Sequence, residues 1–219
     1  MAKLHPQDGT ARELVKRFCG YVFRLKGIHY TFRELFHDDT AHPLMEKTAH
    51  AFFLDLNEIL LNYFLLEAAK LTDPITSGRE RKENFTVANL VETIEWPPDC
   101  LEEIYELKGV TDTFRGYIKD PRNKLIAHYD KQTVISGEIQ GSFPEGEDEK
   151  FLKALERMCN IMSDVAFDEP VGKMVAPHPG DVLDLKKALQ KAIAFDKLFT
   201  ESKGNDLTRL FNLLHKVNA

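Results

Sequence analysis

Cysteine is scarce in this chain: Cys19, Cys100 and Cys159 stand far apart, with no Cys-x-x-Cys pair. That argues against a structural zinc or a redox dithiol, and a sparse, odd count fits a reducing cytoplasm. An excess of positive charge is missing too. Lys and Arg number 29 against 35 Asp and Glu, a net charge of −6, whereas a general polyanion binder is expected to be basic. Long apolar runs are absent. The most hydrophobic stretch, residues 51–69, carries Asp55, Asn57, Glu58, Asn62 and Glu67, more polar groups than a membrane span tolerates. The N-terminus has no uninterrupted apolar segment, so no signal peptide is expected. Gly-rich phosphate loops, nucleophile elbows and kinase motifs are likewise missing.

What is present is helical spacing. With 219 residues and 43% hydrophobic content, the chain supports a sizeable core. Leu14, Val15, Phe18, Tyr21, Val22 and Leu25 recur at steps of three and four, an amphipathic helix that Gly20 and Gly27 weaken. Residues 44–71 form the strongest element. Met45, Ala49, Phe52, Phe53, Leu56, Ile59, Leu60, Tyr63 and Phe64 make one stripe, and Leu54, Leu61 and Leu65 add apolar groups elsewhere. A helix apolar on more than one side is expected to be buried, centrally or against a second chain. Thr72-Asp73-Pro74 stops it.

A charged loop is expected over 75–84, and a short helix near 86–95 closed by Trp96-Pro97-Pro98. Asp99 with Glu102 reads as a capping box for the next helix, whose second half Gly109 and Gly116 make less certain. Asp120-Pro121 reads as the cap and first turn of another. Residues 133–147 are the one β-like stretch, a small hairpin or ordered loop. Helices follow over about 148–166, from Asp181 and over 207–217, with a Pro/Gly loop at 170–180. The fold class expected is all-α, an up-and-down bundle with additional terminal helices. No repeat or linker divides it, so residues 1–219 read as a single helical domain.

The most informative segment is 122–128, Arg-Asn-Lys-Leu-Ile-Ala-His. Arginine neutralises phosphate with a planar fork of donors, and histidine exchanges protons near neutral pH. Residues 115–131 carry Arg115, Lys119, Arg122, Lys124 and Lys131 against Asp120 and Asp130, a local +3 in an acidic protein. If Asp120-Pro121 opens a helix, Arg122 sits where free backbone N–H groups favour an anion. Asn123 adds a hydrogen-bonding side chain, and Tyr129 and Asp130 are polar neighbours. The residues alone leave two readings: a phosphate site, or a helix start with an exposed arginine and a structurally bonded histidine. The bare spacing is common, recurring at Arg24–His29 and Arg209–His215, where solvated surface residues are the expectation.

The string 122–131, Arg-Asn-Lys-Leu-Ile-Ala-His-Tyr-Asp-Lys, resembles the signature of HEPN domains. These are helical bundles whose paired arginine and histidine often make a metal-independent ribonuclease. The layout also resembles the HEPN family named for the abortive-infection protein AbiU. There a long apolar helix ends in an Asp-Pro stop, here Leu71-Thr72-Asp73-Pro74, ahead of the motif helix. The resemblance spans about residues 44–165, an HEPN-like core with helical extensions at 1–43 and 166–219. It implies catalytic roles for Arg122 and His128, with Asn123, Lys124, Tyr129 and Asp130 supporting or contacting RNA, no cofactor and no metal. It also implies action in phage defence or as a toxin in the cytoplasm, with an antitoxin protein as one alternative partner.

On a helix, positions 122 and 128 are about 9 Å apart along the axis and about 120° apart around it. They do not share a face, so a two-fold dimer supplying two arginines and two histidines to one cleft is expected. HEPN ribonucleases resemble this picture, with the active cleft between protomers. The alternative is a catalytically inactive helical module for dimerisation or sensing. His37, Asp38, Asp39, His42 and His50 have no familiar metal spacing. The Arg79–Lys82 cluster is expected to be a solvated loop, and Trp96 and Tyr105 to be core rather than base-stacking groups.

Overall fold

The computed structural model describes residues 3–77, 82–121, 143–172 and 178–201. Among them are six helices: α1 (Gly9–Phe36), α2 (His42–Thr72), α3 (Val87–Thr93), α4 (Pro98–Pro121), α5 (Glu147–Phe167) and α6 (Val182–Glu201). One antiparallel ladder of two residues a side pairs β1 (Thr76–Ser77) with β2 (Lys82–Glu83). The fold is all-α, as the spacing implies. Residues 133–142 of the expected β-like stretch 133–147, the helix at 207–217 and residues Arg79 to Arg81 lie outside the described residues, and residues 143–147 hold no strand.

The chain divides into two compact units. The first comprises residues 1–30 and 59–176. Its core draws Val15, Phe18, Val22 and Leu25 from α1, and Phe64, Leu65, Ala68 and Leu71 from α2. Leu90, Val91, Ile104, Phe114 and Ile118 join from α3 and α4, and Phe151, Leu155, Met158 and Met162 from α5. Phe114 and Phe151 stack at 4.4 Å with 13° between ring planes. The N-terminal segment is pinned to the end of α3: the Leu4 N–H donates to the Thr93 carbonyl at 2.8 Å, and the Glu95 N–H to the Leu4 carbonyl at 2.9 Å. Trp96 is core, as expected, its indole N–H donating to the Leu90 carbonyl at 3.2 Å. Tyr105 is not; it is 49% exposed on α4.

The second unit comprises residues 31–58 and 177–219. Leu35, Ala41, Met45, Phe53 and Val182 are buried there, while Phe52, Leu54, Leu198 and Phe199 stay exposed. Asp181 caps α6, accepting the Leu183 N–H at 2.9 Å. Lys186 reaches Glu34 at 3.0 Å and also pairs with Asp38.

Several local expectations change. Gly20, Gly27, Gly109 and Gly116 do not interrupt their helices. Helical stability here comes from a buried face rather than from propensity, so the roughly 1 kcal/mol cost of each glycine does not break the helix. The long helix is not uniformly buried. It breaks at Ala49 (φ −148°, ψ 57°), next to Thr48, whose hydroxyl takes the Leu44 carbonyl at 2.7 Å. Such back-bonding bends helices. Beyond the break, burial concentrates in its last turns, and Phe52, Leu54 and Ile59 are more than half exposed. The loop 75–84 carries the small ladder.

Asp99 is not an N-cap, because α4 begins at Pro98 and the Pro97 carbonyl accepts from Cys100 and Leu101. Proline suits the first helical position, and Asp99 complements the dipole from the first turn. Asp120 and Pro121, expected as a cap and first turn, are the last two residues of α4. The tie of α4 to α5 across the core carries the helix as far as Pro121.

Candidate functional site

Arg122, Asn123, Lys124, His128, Tyr129 and Asp130 all lie outside the described residues. What the structure provides is the frame on either side of them. Pro121, expected in the first turn of a new helix, is the last residue of α4, and Arg122, on which the expected anion site rests, lies outside the described residues.

The last described residue before the string is Pro121, two turns or about 10 Å along α4 from Phe114. The first after it is Phe143, whose ring centre lies 5.2 Å from that of Phe114. Phe64 sits 6.3 Å away on another side of Phe114. Both ends of segment 122–142 are therefore referred to one aromatic cluster built from α2, α4 and α5. The cluster continues to His29, 5.4 Å from Phe64. His29 Nε2 is 2.6 Å from Asp148 Oδ2, and both side chains are largely buried. Asp148 stands in the first turn of α5, where a carboxylate also complements the helix dipole.

Ion pairs fix α5 to its neighbours. Lys26 meets Glu156 at 2.6 Å in a half-buried position. Arg157 grips Glu103 with two bonds, 2.6 and 2.9 Å. The Arg157 hydrogen bonds hold the Glu103 carboxyl below the usual carboxylate range. Hydrogen bonding to Cys159 pulls the Cys19 thiol down, against burial. Burial pushes the Cys159 thiol well up. Neither thiol is open to solvent.

No group of three or more metal-ligating side chains occurs among the described residues. Asp38 is otherwise engaged, accepting from the Thr40 N–H and hydroxyl at 2.8 Å each. The His37 ring lies against Phe32 at 5.3 Å. The second arginine–histidine pair of the sequence does not converge. His29 turns to Asp148, while Arg24 lines a separate cleft with Tyr21, Leu25, Ile28, Glu67, Lys70, Leu71 and Phe85. Sequence reasoning missed both arrangements. The His29–Asp148 pair joins residues 119 apart with no local signal. The cleft has one, the helical spacing of Tyr21, Arg24, Leu25 and Ile28 on α1.

No helix among the described residues is long and apolar enough to cross a membrane. Comparisons with curated proteins and with solved structures give no match. A sequence model described as AbiU2, of the HEPN group, matches residues 11–170, more than two-thirds of the chain. That span starts in α1 and ends just beyond α5, so it takes in the helices of the first core. The chain belongs to the AbiU2 family of HEPN domains, a family tied to abortive infection.

Proposed function

We propose that the protein is a metal-independent endoribonuclease of HEPN type, acting in the cytoplasm in phage defence or as a toxin. The observation that carries this reading is the Arg122–His128 string inside the 11–170 family match. His128 takes the proton from a ribose 2′-hydroxyl, or gives one to the departing 5′-oxygen. The freed 2′-oxygen attacks the adjacent phosphorus as the P–O5′ bond breaks. Arg122 balances charge on the phosphate oxygens. The products are a 2′,3′-cyclic phosphate and a 5′-hydroxyl. Asn123, Lys124, Tyr129 and Asp130 assist or hold the strand.

Two proton transfers from one histidine per motif call for a homodimer with a shared site. Ile59 and Tyr63 on α2 are exposed apolar groups available for pairing. The net charge of −6 supports a second reading, an inactive dimerisation or sensing module, since a stand-alone RNA binder is usually basic. An antitoxin partner is compatible with the enzyme reading. The test is purified protein on total RNA with EDTA present. Cleavage by wild type and not by Arg122→Ala or His128→Ala supports the enzyme. A stable dimer that cuts nothing supports the module.

A further inference from the structure

We propose that the cleft between α1 and α2 holds one unpaired base of a single-stranded RNA and its phosphate. The proposal rests on the reading that the protein acts on RNA. The cleft has a volume of about 180 Å³, below the roughly 300–1,000 Å³ of pockets that enclose a drug-sized ligand. It accommodates one ring of a longer molecule.

Its floor is apolar, with Leu25 and Leu71 buried. Two aromatic rings form a wall, Tyr21 and Phe85, 5.9 Å between centres. Tyr21 is 42% exposed, leaving ring surface for a ligand. The charges are unequal. Lys70 is paired with Glu67 at 2.6 Å, while Arg24 makes no hydrogen bond or ion pair among the described residues. An uncommitted guanidinium beside a pair of tilted aromatic rings can hold a single strand, base on ring and phosphate on cation. A duplex keeps its base faces covered, so the cleft selects unpaired nucleotides.

The test uses the full chain and a labelled 2′-O-methyl oligouridine, which lacks the attacking hydroxyl and so reports binding apart from cleavage. Fluorescence anisotropy is read for wild type, Arg24→Ala, Arg24→Lys and Tyr21→Leu, with circular dichroism confirming folding. Arg24→Ala and Tyr21→Leu are each expected to weaken binding about tenfold. Arg24→Ala also lowers the slope of log K against log salt by about 0.7, while Arg24→Lys keeps it. Folded variants that bind like wild type overturn the proposal. So does tighter, Arg24-dependent binding of an acidic peptide ending in phenylalanine. Arg24-dependent binding without any RNA cleavage upholds the cleft and defeats the proposed reaction. Binding kept in Arg24→Ala, with RNA cut by wild type and not by Arg122→Ala, does the reverse.

Discussion

Replacing Phe114 by alanine strikes the point on which the frame of segment 122–142 depends. Phe114 is 1% exposed. It stacks on Phe151 at 4.4 Å and meets Phe143 and Phe64 at 5.2 and 6.3 Å. Truncating a buried phenylalanine costs about 3–5 kcal/mol, a large part of the roughly 5–15 kcal/mol that holds a domain folded. We expect a loss near 4 kcal/mol, seen in urea as a midpoint lowered by about 2 M for a slope near ~2 kcal/mol/M. Phe143 is only half-buried, so Phe143→Ala should cost about 1–2 kcal/mol. The double variant should be less unstable than the sum by about 0.5–1.5 kcal/mol, the coupling of one aromatic pair. Phe143→Ala keeps its helicity yet should cut RNA ten- to a hundredfold more slowly, about the penalty of a misplaced group. Equal costs for the two single variants, or no coupling between them, would refute the frame.

Other consequences follow from single contacts. Thr86→Ala removes the N-cap of α3, whose hydroxyl accepts from the Asn89 N–H at 3.1 Å; about 1 kcal/mol should be lost, measured by the same urea titration. Lys186 and Thr40 hydrogen bonds lower the Asp38 pKa from 3.8 to about 2. A depressed carboxylate stabilises the fold above its ordinary value and ceases to as pH falls through the lowered one. Lys186→Met should therefore raise the Asp38 titration followed by NMR, and should flatten the loss of stability between pH 3.8 and about 2. Arg157→Ala should return the Glu103 titration toward the ordinary carboxylate range, with under about 1 kcal/mol of stability lost because the pair is solvent-exposed.

The helical architecture was legible because long apolar faces leave a period of three and four: the helices expected over 44–71, 86–95 and 148–166 correspond to α2, the shorter α3 and α5. Boundaries were less legible. Asp99 and Asp120-Pro121 carry valid capping chemistry, but the Pro97 carbonyl and the packing of α4 on α5 decide where that helix runs. The uneven burial of α2 was not readable, since periodicity identifies an apolar face without identifying what covers it. His29–Asp148 and Arg157–Glu103 are products of the fold and have no trace in sequence. The candidate site is the opposite case. Its residues announce themselves as a string, and the aromatic contacts of Phe114 with Phe143 and Phe151 came only from packing.

The most direct test of the central claim is the chemistry of the cut ends. A defined single-stranded RNA is incubated with the full chain in EDTA, and product termini are read by mass spectrometry. The account predicts a 2′,3′-cyclic phosphate and a 5′-hydroxyl from wild type, and intact RNA from His128→Ala. Products ending in a 3′-hydroxyl and 5′-phosphate, or undiminished cutting by His128→Ala, would contradict it.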